Sequence, residues 1–241
     1  SYTFNFNMKN FILKVSLFSL SLSLLILIGF LLPVTPRASK SLLYAKVDKD
    51  NLLKKTNSPR IIFVGGSNLS FGINSNIIKD SLNLNPINTA IHASIGLEYM
   101  MDNTIQYIKE NDIIILAPEY SHFYGRSVYG GEELLRTVAD IKLSKLFDLK
   151  KEQFKNISNY ILKYSFSKLK PTEYFGFKES DVYSVSSFNK YGDVNAHWEM
   201  QQQNFLPSET IKTSYNSNTI KLIDAFRIEL EQKGASLFVT Y

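Results

Sequence analysis

The sequence predicts an α/β domain with a doubly wound parallel sheet, preceded by one membrane-spanning helix. Three observations support this class. Residues 15–32 are apolar and uncharged, and their length is close to the shortest that crosses a bilayer as a helix. The short apolar runs 60–64 and 112–117 are typical of strands buried on both faces. The amphipathic segment 96–110 lies between these runs, and such alternation predicts right-handed βαβ units.

The N-terminal region is divided into three parts. Residues 1–10 are interpreted as a short N-terminal segment, residues 11–34 as a transmembrane signal anchor and residues 35–59 as a polar juxtamembrane linker. Lys9 and Lys14 precede the span, which agrees with a cytoplasmic N-terminus, although basic residues also follow the span. The alternative is a cleaved signal peptide, but the apolar core is long for one. We therefore expect a single-pass protein whose domain lies on the extracytoplasmic (periplasmic or extracellular) side.

The composition excludes several kinds of site. The formal net charge is +5, but the basic residues are scattered, so the sequence has no footprint typical of nucleic-acid binding. The chain contains no cysteine, which excludes disulfides, thiolate metal sites and cysteine nucleophiles. No histidine pair or carboxylate cluster has metal-ligand spacing. We expect no metal and no cofactor.

Residues 60–241 are predicted to form one α/β domain. The chain ends within an apolar run, 236–241, that is typical of a strand, so we expect the C-terminal part of the domain to be missing. Residues 171–215 are aromatic and without clear periodicity, which suits an active-site cover. The remaining predicted elements are a strand at 86–91 and helices at 75–82, 132–147, 151–168 and 219–232.

The most informative local pattern is Gly65-Gly66-Ser67, which directly follows the first predicted strand. Glycines permit a tight turn and a close approach of backbone. A serine at the carboxyl end of a strand, near backbone N–H groups that could hold an oxyanion, has the arrangement that acyl transfer needs. A phosphate-binding turn or a purely structural turn has the same spacing, so the pattern alone leaves these alternatives open.

This stretch resembles block I of the SGNH/GDSL hydrolases, in which Gly-Asp-Ser or a variant such as Gly-Gly-Ser follows the first strand. The resemblance implies that Ser67 is the nucleophile and that its N–H is an oxyanion donor. Residues 88–97 resemble block II, which makes Gly96 the implied second donor at a helix N-terminus. The similarity covers roughly residues 60–125 and implies a flavodoxin-like three-layer sheet. The stretch also resembles membrane-anchored bacterial envelope members of the group.

Two departures from the family pattern bear on the chemistry. Block III normally supplies an Asn after the third strand, but Glu119 stands near that position. An ionised carboxylate next to an oxyanion is repulsive, so Glu119 must be protonated, turned away or used differently. The Asp-x-x-His of block V, which supplies the acid and base in the family, is not found in this sequence. We expect it beyond residue 241 if the chain continues.

The three histidines are alternative candidates for the base. His92 and His122 lie after the second and third predicted strands, and His197 follows Asp193 in the long aromatic segment. His197 is the weak candidate among the site residues, and a surface or loop position is the simpler interpretation of each. The aromatic side chains of the same segment could bind sugar rings, although packing is the more common role; they are Tyr183, Phe188, Tyr191 and Trp198.

Two functions follow from this resemblance. The first is a membrane-anchored serine esterase or acyltransferase that acts on an acylated envelope glycan or a similar ester. The alternative is a non-catalytic binding or scaffold component of a polysaccharide modification or export system. A nucleotide-binding domain is a weaker third interpretation, because the glycine loop has neither Gly-x-Gly-x-x-Gly nor a P-loop lysine.

Overall fold

The computed structural model describes residues 8–201 and 213–240. Residues 1–7 of the predicted N-terminal segment, 202–212 of the aromatic segment and Tyr241 of the last predicted strand lie outside the described residues. The first element is helix α1, Met8–Leu31, of which only Gly29 is buried. In the described ranges, this is the one helix long and apolar enough to cross a membrane by length and composition, a test that an N-terminal signal sequence also passes.

The segment expected to be a juxtamembrane linker is folded onto the domain. It contains helix α2, Pro36–Ser39, a 3-10 turn at Leu42–Ala45 and helix α3, Lys46–Lys55. Leu53 of α3 is only 1% exposed. The polar, Lys-rich composition of this stretch gave no sign that one face of α3 packs against the sheet. Residues 35–59 are part of the globular unit.

A parallel four-stranded sheet forms the centre of the domain, which confirms the predicted α/β class. Its strands are β1 (Arg60–Gly65), β2 (Asn85–Asn88), β3 (Ile113–Ala117) and β4 (Ser236–Val239). The spatial order is β2-β1-β3-β4, and every neighbouring pair is parallel. The chain moves to one side after β1 and to the other after β3, so the topological switch point lies between these two strands, where such sheets bind ligands.

Alternating side chains of the strands enter two hydrophobic clusters. Ile62 and Val64 belong to the larger cluster, whereas Ile61 and Phe63 belong to the smaller one. In the part of the chain that the structure describes, seven α-helices follow β1: α4 (Ser67–Gly72), α5 (Ser75–Leu82), α6 (Leu97–Ile105), α7 (Glu132–Ile141), α8 (Lys151–Ser158), α9 (Ile161–Lys168) and α10 (Asn218–Gln232). Residues of α6, α7 and α10 pack in the larger cluster, whereas Leu69 of α4 and Ile78 of α5 pack in the smaller, so helices cover both faces of the sheet.

Several predicted boundaries are wrong. The helix predicted at 96–110 ends at Ile105, and the strand predicted at 86–91 ends at Asn88. The helix predicted at 132–147 stops at Ile141 because Lys142 is extended, with φ −155° and ψ 93°. The segment 151–168 forms two helices with a break after Ser158, where Ser and Asn are typical of helix ends. Helix α4, which carries Ser67, was not predicted.

A buried ion pair joins β1 to the start of β3 at the end of the sheet opposite the glycine turn. Arg60 and Asp112 are 0% and 1% exposed. Arg60 Nε donates to Asp112 Oδ1 at 2.8 Å, and Arg60 Nη2 contacts the other carboxylate oxygen. Arg60 also donates to the carbonyls of Leu53 and Tyr107. These bonds connect α3, both strands and the turn after α6.

Candidate active site

Three loops converge at the carboxyl edge of the sheet, and Gly66 is the point where they meet. A Cβ atom at Gly66 would collide with Glu119 Oε1 from the loop after β3 and would lie 2.9 Å from the Ala93 nitrogen in the loop after β2. Gly65 is similarly close to β3, since a Cβ there would lie 2.6 Å from the Ala117 carbonyl oxygen. The two glycines therefore permit the close approach of backbone that the sequence pattern predicted.

Ser67 and Glu119 are in direct contact across the switch point. Ser67 Oγ donates a hydrogen bond to Glu119 Oε1 at 2.9 Å, and the backbone N–H of Asn68 donates to the same oxygen at 3.3 Å. Both Ser67 and Glu119 are half-buried. The Asn68 side chain donates to the Ala117 carbonyl at 3.2 Å, which holds the start of α4 against the end of β3. The side chain of Glu119 thus accepts a hydrogen bond from the hydroxyl of the candidate nucleophile.

His122 holds the loop after β3 against the loop after β2. Its Nδ1 accepts a hydrogen bond from the Glu119 N–H at 3.0 Å, so the ring proton lies on Nε2, which donates to the Ala93 carbonyl at 3.0 Å. The side chain is 0% exposed, and burial lowers its pKa below the ordinary value of 6.5. Both nitrogens are therefore used in positioning Glu119, and neither is available to Ser67.

Gly96 lies at a turn between the second strand and α6. Its φ of 88° favours glycine, and a Cβ there would collide with the backbone of Gly130. The Gly96 N–H donates to the Ala93 carbonyl at 2.8 Å within a 3-10 turn. In this conformation the proposed oxyanion donor is thus engaged with its own loop.

His92 lies in the loop that approaches Gly66. Its Nδ1 accepts a hydrogen bond from the Ser94 N–H at 3.1 Å, and the residue is half-buried. Because this nitrogen accepts a local backbone donor, the ring caps the 3-10 turn at Ala93–Ile95. The structure gives it no contact with Ser67 among the described hydrogen bonds.

Asp193 and His197 do not form the acid–base pair that their spacing imitates. Asp193 is 0% exposed, and its carboxylate accepts from the Ser75 N–H and hydroxyl at 2.9 and 2.7 Å and from the Asn88 side chain at 3.0 Å. The His197 ring packs on Phe71 of α4 with 5.2 Å between centroids. His197 Nδ1 is buried without a hydrogen-bond partner among the described residues. His197 therefore contacts the helix that carries Ser67, at Phe71, about one turn after the serine.

The aromatic residues of the long segment have different surroundings. Tyr183 stacks against Phe71 with 5.6 Å between ring centroids and is 64% exposed. Phe188 is partly buried and lies 4.2 Å below the Lys49 ammonium. Trp198 is 41% exposed. Tyr183 and Trp198 therefore remain accessible for a ligand, whereas Phe188 packs into the domain.

Lys49 is a buried residue that binds three backbone carbonyls, a role that the sequence did not reveal. It is 1% exposed, and its ammonium donates to the carbonyls of Asn88, Ala90 and Gly192 at 2.6–2.9 Å. Burial holds its pKa well below the usual range. These bonds tie the aromatic segment to the end of β2, beside the candidate site. A single lysine in a lysine-rich stretch carries no sequence signal for such a role.

Comparisons with known proteins add no further constraint: no family model, no curated protein and no solved structure matches the chain. Within residues 8–201 and 213–240, no group of three or more His, Asp or Glu side chains could hold a metal ion. The interpretation of the site therefore depends on its geometry and on the residues themselves.

Proposed function

We propose that this protein is a membrane-anchored serine esterase or acyltransferase of the SGNH type, acting outside the cytoplasm on an acylated envelope glycan or a similar ester. The observation that carries the proposal is the 2.9 Å hydrogen bond from Ser67 Oγ to Glu119 Oε1. It lies at the switch point of a parallel sheet, where α/β enzymes bind their substrates. The resemblance of residues 65–67 to block I of that family supports the same assignment.

In the proposed reaction, Ser67 Oγ attacks the acyl carbonyl carbon and forms a bond to it. The serine proton passes to a base and then to the leaving alcohol oxygen, which gives an acyl-serine; water or an acceptor hydroxyl then takes the acyl group by the reverse steps. In the family that this chain resembles, the base belongs to a C-terminal Asp–His pair. Among the described residues, the group within hydrogen-bond reach of Ser67 Oγ is Glu119.

The oxyanion is assigned to backbone donors at the same edge. The Ser67 N–H belongs to the first residue of α4 and is the primary donor in this proposal. The Gly96 N–H would join it when the turn at Ala93–Ile95 opens and releases the bond to Ala93. One preorganised donor commonly contributes about 10²–10³-fold to the rate of acyl transfer, and this contribution is expected of the Ser67 N–H.

The anchor assignment extends the candidate helix α1 to an uncleaved, membrane-spanning segment. The contacts between the last turns of α1 and α9 support it: Phe30 meets Tyr164 edge to face at 5.7 Å, and Lys168 Nζ donates to the Leu32 carbonyl at 2.5 Å. Cleavage after residue 34 would remove this packing. Such an anchor suits an ester-bearing polymer made at a membrane surface.

Labelling with a fluorophosphonate tests the proposal. The full chain in detergent is treated with the probe, and the adduct is located by mass spectrometry. We expect an adduct on Ser67 that is lost in Ser67→Ala and kept in Ser121→Ala, a half-buried serine of the adjacent loop. Glu119→Gln separates two roles: a general base is expected to contribute about 10²–10⁴-fold to the labelling rate, whereas a purely positioning contact contributes much less.

A non-catalytic binding protein of the same fold is the second candidate, and two observations favour it. Glu119 places a carboxylate where the family has an oxyanion donor, and the Gly96 N–H is already bonded to Ala93. In that case Ser67 and Glu119 form a polar pair that binds ligand hydroxyl groups. A folded full chain that gives no adduct on Ser67 would favour this candidate over the hydrolase.

A further inference from the structure

Helix α9 lies directly along the last turns of α1. A Cβ atom at Gly29 would collide with the Ser165 carbonyl oxygen, so the two backbones are in contact at this point. Three residues later, Leu32 accepts from Lys168, which is also three residues beyond Ser165. The two helices therefore run in the same direction, and no flexible linker separates the domain from the end of α1.

This arrangement sets the depth of α9 relative to a membrane that α1 spans. Leu32 ends the continuous run of uncharged residues that precedes Pro33, and Gly29 lies about 5 Å before that end at the rise of an α-helix. Residues of α9 that precede Ser165 lie deeper still. Leu162 and Phe166, which share one side of α9, are 56% and 39% exposed. Exposed apolar side chains at this depth face the boundary between acyl chains and head groups.

A basic cavity of about 460 Å³ adjoins the same helix. Four cationic side chains line it: Arg37, Arg136, Lys163 and Lys170. Each of the two carboxylates that also line it is paired with a cation, Asp140 with Lys168 at 3.2 Å and Glu173 with Arg37 at 3.6 Å. Arg136 and Lys163 share the carboxylate of Glu132. Five cations therefore stand against three carboxylates at and beside the cavity, whose charge is positive on balance.

Two groups at this cavity lack a protein partner. Thr137 is 2% exposed and lines the cavity, and its hydroxyl has no hydrogen-bond partner among the described residues. Lys170 is exposed, and no ion pair joins it to the described part of the chain. The Thr137 hydroxyl and the unpaired Lys170 ammonium, beside an apolar helix face, match the chemistry of a lipid phosphate.

We propose that the α9 side of the domain is a lipid-contact surface. Leu162 and Phe166 lie in the interfacial layer of the bilayer, and the basic cavity binds the phosphate of an anionic glycerophospholipid. The inference rests on the anchor part of the proposed function and is independent of the chemistry at Ser67. It places the domain in a fixed position on the membrane, because α9 and the cavity contact lipid beside the anchor.

Because the chain has no cysteine, variants with one introduced cysteine can test whether Leu162 and Phe166 contact lipid. The full chain is labelled with an environment-sensitive fluorophore at Leu162→Cys or Phe166→Cys and reconstituted into vesicles of phosphatidylcholine and phosphatidylglycerol that contain spin-labelled lipid. Leu20→Cys on α1 is the membrane reference, and Ile77→Cys on α5 is the water-exposed reference on the far face of the sheet; these residues are 67% and 61% exposed.

We expect the labels at Leu162 and Phe166 to show about half or more of the quenching seen at Leu20, because these two positions of α9 lie within the interfacial layer. We expect the Ile77 label to show none. Quenching at Leu20 with none at Leu162 or Phe166 would overturn the lipid-contact surface and leave the anchor intact. The absence of quenching at Leu20 would overturn the anchor and, with it, this inference.

Lipid retention tests the cavity. The full chain is extracted gently from mixed vesicles, and the ratio of retained phosphatidylglycerol to phosphatidylcholine is measured. The native protein is compared with the double variant Arg37→Gln and Lys170→Gln. The double variant Lys221→Gln and Lys233→Gln is the matched control, because it removes exposed cations on and after α10. Each cation removed from the cavity is expected to lower the enrichment about five-fold, which corresponds to ~1 kcal/mol. Equal enrichment in all three proteins, or none in the native one, would overturn headgroup binding.

Discussion

Gly66→Ala is the substitution that the geometry of the three-loop junction constrains most directly. The new methyl group would collide with Glu119 Oε1 and would lie 2.9 Å from the Ala93 nitrogen. The Glu119 carboxylate can move, but the Ala93 backbone is held by His122 at 3.0 Å. The substitution therefore breaks the hydrogen bonds from Ser67 and Asn68 to Glu119 and strains the junction of the loops.

The cost can be estimated from these contacts. Hydrogen bonds to a charged group contribute about 1.5–3 kcal/mol when buried and less when, as here, the groups are half-buried, and an overpacked methyl group typically costs about 1–3 kcal/mol. Because the carboxylate can relax, we expect Gly66→Ala to lower the free energy of unfolding by about 1–3 kcal/mol. In a domain of this size that corresponds to a fall in Tm of roughly 2–12 °C.

Gly72→Ala is the matched control. Gly72 is the last residue of α4, the helix that begins directly after Gly66, and a Cβ at Gly72 would have no atom within 4 Å. This variant is expected to be neutral or more stable by about 0.4–1 kcal/mol, because alanine restricts the unfolded chain. Thermal unfolding of the full chain in detergent, followed by circular dichroism, measures both. Equal melting temperatures for Gly66→Ala and Gly72→Ala would refute the packing argument.

Three further predictions concern groups around the sheet. Arg60→Met leaves the Asp112 carboxylate buried without its guanidinium and is expected to cost about 3–5 kcal/mol in denaturant unfolding; a cost below about 1 kcal/mol would contradict it. His122 has a depressed pKa in the folded protein, so the unfolded chain binds a proton more readily, and stability is expected to fall as the pH drops below 6.5 towards the folded pKa. His122→Asn removes this titration, so a fall of the same size in both proteins would count against the assignment. The double variant Gly66→Ala and Glu119→Ala is expected to lose about 1 kcal/mol less unfolding free energy than the two single variants together, because Glu119→Ala removes the colliding carboxylate. Strict additivity in this double-mutant cycle would contradict the contact.

The parallel sheet could be predicted because its strands leave a strong sequence pattern. Strands β1 and β3 are covered on both faces, so they appear as continuous apolar runs. The position of the site followed from the same pattern, since the glycine turn and Glu119 end neighbouring strands. Helix lengths were less predictable, because the ends of α6 and α7 depend on single backbone conformations such as the extended Lys142.

Other features could not be predicted, because their signal exists only in three dimensions. Lys49 and Arg60 are buried cations that occur in stretches of ordinary composition. The position of His122 after β3 suits a catalytic base, but its two nitrogens bridge loops that are 29 residues apart in sequence. The packing of α1 against α9 depends on Gly29, one glycine in an otherwise uniform apolar span. In each case the partner groups come from distant segments.

The functional interpretation depends most on Glu119, because the neighbouring groups of the candidate site are arranged around its carboxylate. Gly66 has no side chain at the one point where Glu119 Oε1 approaches. His122 accepts from the Glu119 N–H and thereby fixes the start of the loop, while Ser67 and Asn68 both donate to the same carboxylate oxygen. An incidental carboxylate would require none of these arrangements. Glu119 is therefore expected to matter for whatever Ser67 does, either as the acceptor of its proton or as the group that presents its hydroxyl to a ligand.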